Sequence, residues 1–333
     1  LQVAREMDCE SELRQGLART VIGSIGPTTT EALLQNDLNR DFEPAHPKMG
    51  QLVQTAASHG ADLHRRKTAI REQLSSPSSD PIDRRAPWYD NPLMKACRRE
   101  PTEVTPIWLM RQAGRYLPQY RAIRKKFSFL ELCKRPDVCA EIMIDTVQTL
   151  GVDAAIIFSD LLPILEPMGF ELEYAVGDGP VIHNPIRDSA EVDRVMALDT
   201  VDALDFVMET VRRTRADLPE DIPVIGFAGA PFTLASYAIE GGGSRTFVHT
   251  KTLMYRDEPA WHELMGRFVR SITLYVNAQI AAGAQCIQLF DSWVGCLGPE
   301  DYRQFVLPHM RTIIRNLPAG VPVISFATGN PSL

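Results

Sequence analysis

Ile107-Trp-Leu-Met-Arg-Gln-Ala-Gly-Arg-Tyr116 decides how the rest of the chain is read. Its first four residues are a continuous apolar run, the pattern of a strand buried on both faces. The run breaks directly into Arg111, Gln112, Ala113, Gly114 and Arg115, and Arg121, Arg124, Lys125 and Lys126 follow. Six cations thus fall within sixteen residues of a chain whose formal net charge is −7, a local reversal of sign. Guanidinium forks grip carboxylates and phosphates bidentately, and glycine lets a ligand approach the backbone. A solvated loop and helix face would carry the same charges. Position favours a site, because the arginines follow a strand end with no acidic residue among them. The stretch predicts an anion-binding site.

Working outward, the chain beyond Trp88 alternates strand-like and helix-like segments. Strands are predicted over 107–110, 154–159, 224–227, 286–290 and 323–326. Helices are predicted over 136–150, 201–216, 259–282 and 299–316, and residues 161–181 interrupt the rhythm as a hairpin lid. Short, nearly all-apolar strands separated by helices predict a parallel α/β fold. Pattern alone does not separate an open doubly wound sheet from a (β/α)8 barrel. Polar residues gather just past the predicted strand ends: Arg111, Asp160, Gly229 and the pair Asp291-Ser292. In a barrel such ends converge on one face. Tyr237 lies on the helix or loop after the third strand. Each has a structural alternative. Asp160 and Ser292 suit helix N-caps, and Tyr237 suits a core aromatic with its hydroxyl paired. Glu240-Gly-Gly-Gly-Ser244 lacks the lysine and spacing of a phosphate loop and reads as a hinge.

The N-terminal part differs in character. A helix is predicted over 10–17 and a short strand over 20–25, after which Gly26-Pro-Thr-Thr-Thr30 opens a helix. Hydroxyls at that helix start suit either an anion cradle or a plain N-cap. Residues 61–86 read as a linker, because Ser75-Ser-Pro-Ser-Ser-Asp-Pro81 has almost no apolar surface to bury. A domain boundary is placed near residue 85. The sequence starts at Leu1 and stops at Leu333 just past an apolar run, and both ends read as cut.

Composition excludes several classes. With 44% apolar and 23% charged residues the chain is ordinary globular material. No apolar run approaches the ~18 residues that span a bilayer, so no membrane partner is expected. The acidic balance argues against nucleic acid. The six cysteines are scattered without Cys-x-x-Cys spacing, and no His/Cys cluster completes a metal site. Reduced thiols and a cytoplasmic location are expected.

Arg111-Gln-Ala-Gly-Arg-Tyr-Leu-Pro118 resembles the signature of the uroporphyrinogen decarboxylase family. So do Ile156-Ile-Phe-Ser-Asp160, Gly226-Phe-Ala-Gly-Ala-Pro-Phe-Thr233, Glu240-Gly-Gly-Gly-Ser244 and Gln288-Leu-Phe-Asp-Ser292, collinear with that family over about 87–333. The resemblance implies a (β/α)8 TIM-like barrel, incomplete with about five of eight units, carrying a small N-terminal α/β appendage. It implies decarboxylation, without cofactor or metal, of the four acetate side chains of uroporphyrinogen III to give coproporphyrinogen III. It implies substrate-binding roles for Arg111, Gln112, Ala113, Gly114, Arg115, Arg124, Asp160, Tyr237 and Ser292, with Asp160 and Arg111 taking part in the chemistry, and a homodimer. The family also uses a histidine from a later strand-end loop, which His309 does not match. The alternatives are a related corrinoid- or methionine-synthase-like methyltransferase barrel, which needs a zinc-binding His/Cys cluster, and an inactive fragment or non-catalytic binding module. Residues 1–60 carry a second resemblance. Ser24-Ile-Gly-Pro-Thr-Thr-Thr-Glu-Ala-Leu33, Phe42-Glu-Pro-Ala-His-Pro-Lys-Met49 and Leu52-Val53 resemble the C-terminal end of the uroporphyrinogen-III synthase family, which implies a fusion protein. No synthase activity is expected of this fragment.

Overall fold

The structure, a computed structural model, describes residues 10–329 apart from 19, 37, 39, 45, 76–81 and 176–178. The chain divides into two compact units at Ser76/Pro77.

The first unit contains helices α1 (Glu10–Ala18), α2 (Pro27–Gln35) and α3 (Met49–Ser75). The strand expected over 20–25 is reduced to one parallel bridge between Gly23 and Phe42, so among the described residues the appendage is helical rather than α/β. Residues 61–75, expected to begin a linker, continue α3. No proline occurs between Pro47 and Pro77 to stop that helix. The Ser/Pro run over 76–81 lies outside the described residues. The hydroxyls of the Gly26-to-Thr30 turn are used internally. Buried Ser24 donates to the Gly26 carbonyl at 2.9 Å and accepts from the Thr30 hydroxyl at 2.8 Å. The Thr30 hydroxyl also meets the Glu43 carboxylate, to which its one proton can go instead, and accepts from Arg40. The turn is a filled polar cluster, which favours the structural alternative over an anion cradle.

The second unit is built on four parallel strands. They are β1 (Ala155–Ile156), β4 (Val224–Gly229), β5 (Cys286–Asp291) and β6 (Val323–Ala327), hydrogen-bonded in that order. Ile156 lies opposite Ile225, Phe227 opposite Gln288 and Phe290 opposite Phe326. A separate antiparallel hairpin, β2 (Leu172–Ala175) and β3 (Gly179–Ile182), fills the interruption noted in the sequence; its turn at 176–178 lies outside the described residues. Short helices α4 (Pro92–Cys97), α5 (Pro118–Arg124) and α6 (Phe129–Cys133) precede α7 (Pro136–Leu150), which packs on α8 (Asp205–Asp217). Between β4 and β5 come α9 (Pro231–Glu240), α10 (Val248–Arg256) and the long α11 (Glu258–Ala281). Trp261 and Phe268 of α11 are fully buried, as is Phe232 of α9. The helix expected over 299–316 is two, α12 (Pro299–Phe305) and α13 (Leu307–Arg315). Pro308, with no N–H to donate, suits the start of the second.

The first expected strand, 107–110, does not form. Only Ile107 is tied to the β1 side: its amide donates to Asp153 Oδ2 at 2.6 Å and its carbonyl accepts the Asp153 amide at 2.8 Å. Ile107 and Leu109 are 59% and 43% exposed, so their apolar character goes unburied. Among the described residues, four strands rather than five pair, and the sheet is open at β1 and β6.

Glutamine amides stand in where strands are missing. Gln112 donates to the Ala154 carbonyl at 2.6 Å and accepts from the Ile156 amide at 3.2 Å, capping the free edge of β1 as a parallel neighbour would. Beyond the two-residue β1, Gln279 of α11 accepts from the Phe227 amide at 2.8 Å and donates to the Phe227 carbonyl at 2.9 Å. Each amide satisfies buried backbone groups that would otherwise lack partners.

Candidate functional site

Because the strands are parallel, their C-terminal ends lie on one side of the sheet. The ends are tied together there. The Ala230 amide donates to the Phe290 carbonyl at 2.9 Å, and the Thr328 hydroxyl donates to the Ser292 carbonyl. Asp160, Tyr237 and Ser292 all follow these ends, and the arginine loop runs alongside β1 through Gln112.

The loop is held by its own backbone. Tyr116 donates to the Gln112 carbonyl, and its ring lies where a Cβ on Gly114 would come within 2.6 Å of Cε1. Glycine is therefore the residue that fits at 114. Arg111 and Arg115 are exposed, and among the described residues neither guanidinium is paired with a carboxylate. Arg121 donates to the Arg115 carbonyl at 2.8 Å. Arg124 donates to the Phe127 carbonyl at 2.6 Å and lies 5.5 Å from the Phe129 ring centroid. Gln112 stands apart from its neighbours, because it is buried with both amide ends committed to β1.

Asp160 lies four residues beyond β1, partly buried. Its Oδ1 accepts from the Leu162 amide at 3.0 Å and from the Tyr174 hydroxyl of the β2–β3 hairpin. Burial raises the Asp160 pKa, while the Tyr174 hydroxyl and the Leu161 and Leu162 amides pull it down. Asp160 in turn adds to the upward shifts that burial imposes on Tyr174, on Tyr237 (pushed up to about 12) and on Cys133. The carboxylate thus sits among neutral hydroxyls rather than cations. An aromatic path joins it to the arginine loop: the Tyr174 and Phe129 centroids are 5.3 Å apart, and Phe129 lies under Arg124. Phe129 is set by a capping box in which Ser128 and Glu131 exchange hydrogen bonds.

On the opposite side Tyr237 lies against Trp293, with ring centroids 3.8 Å apart and planes inclined by 31°. Phe247 meets the same indole edge-on at 5.3 Å. Gly241 closes α9 with φ of +83°, donating to the Tyr237 carbonyl at 2.9 Å. The glycine run expected as a hinge therefore begins as a helix cap. Below Trp293, Asp291 is buried at the end of β5 and accepts from the Thr233 hydroxyl at 2.9 Å. Burial pushes its carboxyl up to about 7.

The structure therefore brings Asp160 and Tyr237 within electrostatic reach of one another and links Arg124 to them through Phe129. Arg111 and Arg115 remain solvent-facing, and Ala113 is half-buried between them. Ser292 is half-buried in the turn after β5. Sequence reading missed Tyr174, Phe129, Trp293 and Thr233. Trp293 had a signal, since it directly follows Asp291-Ser292 at a strand end. Tyr174 had none, because its partner is fourteen residues away in another element. His309 is buried on α13, with Nε2 2.8 Å from Nδ1 of His262. No three His, Cys, Asp or Glu side chains gather as a metal site among the described residues, and no helix of those residues is long and apolar enough to cross a membrane.

Residues 89–333 match the family model described as uroporphyrinogen decarboxylase (URO-D). The uroporphyrinogen decarboxylase of Carboxydothermus hydrogenoformans is 51% identical over 241 residues, 72% of this chain and 69% of the relative. Those of Sorangium cellulosum and Solibacter usitatus are 52% and 53% identical, over 69% and 68% of their lengths and 72% and 71% of this chain. Among solved structures, a methyltransferase from Methanosarcina mazei aligns with a TM-score of 0.57 at 18% identity, covering 73% of this chain and 69% of the other. That likeness shows the fold alone.

Proposed function

The chain belongs to the uroporphyrinogen decarboxylase family, and on that premise we propose that it is a carboxy-lyase removing the four acetate carboxyls of uroporphyrinogen III in porphyrin biosynthesis, without cofactor. Each step breaks the bond between an acetate CH2 and its carboxylate. CO2 leaves, the electron pair passes toward the pyrrole, and one proton is taken up to leave a methyl group. Protonating the pyrrole ring first would give that pair a place to go, so the site must hold a cationic ring.

The observation that carries this reading is Asp160. It is a partly buried carboxylate beside the Tyr174 hydroxyl, with no cation paired with it among the described residues, on the side of the sheet where the strands end. A cationic ring is the partner such a group lacks, and a preorganised charge in a low-dielectric site stabilises it strongly. Arg111 and Arg115, unpaired with carboxylates among the described residues, offer guanidinium forks to the substrate's carboxylates, and Arg124, Tyr237 and Ser292 complete the surround. Gln112 supports the site by holding the loop on β1, with Ala113 and Gly114 as the turn that presents the arginines. Because an arginine is a poor acid, Arg111 serves as a carboxylate anchor close to the chemistry rather than as the proton source.

The same premise carries a TIM-like barrel, a homodimer and a cytoplasmic setting for this chain. The resemblance of residues 1–60 to the end of a uroporphyrinogen-III synthase extends the proposal to a fusion protein, with no synthase activity assigned to these residues. The methyltransferase alternative keeps only the likeness of fold. Incubating purified protein with uroporphyrinogen III under reducing conditions and following CO2 and coproporphyrinogen III tests the reading. Stoichiometric release of four CO2 is expected. A folded protein that binds the tetrapyrrole without releasing CO2 would replace the enzyme reading with that of a binding module.

A further inference from the structure

Two rungs join the end of β5 to helix α9. In the first, Asp291 Oδ1 accepts from the Thr233 hydroxyl at 2.9 Å, and the same hydroxyl oxygen accepts from the Trp293 amide at 3.3 Å. In the second, the Trp293 indole stacks on Tyr237. Thr233 and Tyr237 are four residues apart on one helix, hence on one face and about 6 Å apart along its axis. Asp291 and Trp293 are two residues apart on the other segment. The polar rung therefore sets the height of the aromatic rung.

Two further observations show that this arrangement is held at a cost. Asp291 Oδ2 is buried with no hydrogen-bond partner among the described residues. Phe247, whose ring meets Trp293 edge-on, has φ of +53°, a conformation that bulky residues rarely adopt. Such features persist where the surroundings over-determine them, and they cluster at functional sites. A buried acceptor lacking a donor is not what a merely packed core would keep.

We propose that Asp291 and Thr233 are positioning residues for the reaction: together they fix the Trp293 indole, and through it the Tyr237 ring, in the pose that receives the tetrapyrrole. The proposal rests on Tyr237 belonging to the substrate site. Neither residue touches substrate in this scheme. The titratable groups that face Asp291 are Tyr302 of α12 and Cys296 of the turn after β5, both with raised pKa values and therefore neutral at pH 7. Asp291 accordingly changes charge near neutrality, with Lys251, Glu240 and Arg311 as the charged groups lying beyond Cys296 and Tyr302. Its charged form accepts from Thr233, and its acid form adds a donor at the unpartnered oxygen.

The test needs a readout other than turnover. The near-ultraviolet circular dichroism of the full chain minus that of Trp293→Phe isolates the Trp293 contribution. Thr233→Val, which removes the hydroxyl but keeps the shape, is expected to lose most of that difference band. Thr233→Ser is expected to keep it. Between pH 5 and 9 the band should change with a midpoint near 7 in the unaltered protein and stay flat in Asp291→Asn. Should Thr233→Val fail to fold, this titration decides alone. A band unchanged in Thr233→Val, or a titration that survives in Asp291→Asn, overturns the proposal. In the decarboxylation assay, Thr233→Val should raise KM about tenfold, the scale of a lost aromatic stack, with a smaller change in kcat. Loss of the band with KM unchanged would overturn their role in the reaction, leaving Asp291 and Thr233 to hold Trp293 for the fold alone and removing Tyr237 from the substrate site.

Discussion

The Tyr174 hydroxyl donates to Asp160 Oδ1, so the carboxylate at the end of β1 is oriented by a hairpin that follows it in the chain. The Leu162 amide reaches the same oxygen at 3.0 Å. Asp160 is thus a turn cap and a candidate catalytic group at once, and the two roles use different properties of the side chain. Capping needs an acceptor oxygen, whereas stabilising a cationic ring needs the charge.

Asp160→Asn separates them. The amide oxygen still accepts from Leu162 and Tyr174, so the melting temperature should move by only a few degrees, within about 1 kcal/mol. Turnover should fall by about 10²–10³, the scale of one preorganised electrostatic contact. A lowered melting temperature with turnover per folded molecule intact would leave Asp160 as a cap alone.

Tyr174→Phe acts on the pH profile. The Tyr174 hydroxyl holds the Asp160 pKa down against burial. Removing it should raise that pKa, so the carboxylate protonates at higher pH. The acid limb of kcat/KM should shift toward neutrality, with the plateau at higher pH less affected. An unmoved acid limb would remove Asp160 ionisation from the rate.

Arg111 and Gln112 are neighbours with opposite expectations. Arg111 is exposed and free of carboxylate partners among the described residues, so Arg111→Ala should leave the melting temperature alone. It should weaken substrate binding by about 2–4 kcal/mol, the cost of unpairing a held charge. Gln112→Leu should strand the Ala154 carbonyl and the Ile156 amide, at about 1–3 kcal/mol for each buried group. A thermal melt alongside KM distinguishes the two: Gln112→Leu lowers the first, and Arg111→Ala raises the second.

The contrast shows what could be read from the sequence. Asp160, Tyr237 and Ser292 were legible because each follows a buried apolar run, and a parallel sheet gathers such ends. The run at 107–110 misled for a physical reason. Apolar residues predict burial only where something covers them, and among the described residues Ile107 and Leu109 face solvent. The hold of Gln112 on β1 was not legible, since an amide imitating a strand depends on which neighbour is missing. Tyr174 and the Asp291–Thr233–Trp293 connection are contacts between elements far apart in sequence, and no local pattern encodes those. The linker expected from residue 61 starts later, because α3 runs on to Ser75 before the Ser/Pro run, and no proline before Pro77 forbids a helix.

Asp291 and His309 should tilt stability with pH in opposite directions. The folded Asp291 carboxyl lies near 7, above the ordinary 3.8, because burial disfavours its charge. The folded state therefore holds a proton that the unfolded chain has released. Asp291's contribution is full below about pH 4 and is lost as pH rises to 7, by at most about 4 kcal/mol at 1.36 per unit. His309 is the reverse case. Burial, with His262 beside it, holds its pKa well below the ordinary 6.5, so folding favours the neutral ring. That contribution is full above pH 6.5 and is lost as pH falls below it. In the intact protein the two slopes oppose one another just below pH 6.5, and a single melting curve series would understate both. Asp291→Asn should remove the falling component, so its stability relative to the parent should rise steadily from pH 4 to 7 and then level off. His309→Gln should show the opposite trend, gaining on the parent as pH drops below 6.5. Denaturant unfolding of the three proteins at half-unit pH steps reads both differences directly. A difference between Asp291→Asn and the parent that stays constant from pH 4 to 8 would mean that the buried carboxyl keeps an ordinary pKa, and that Oδ2 has found a partner in solution.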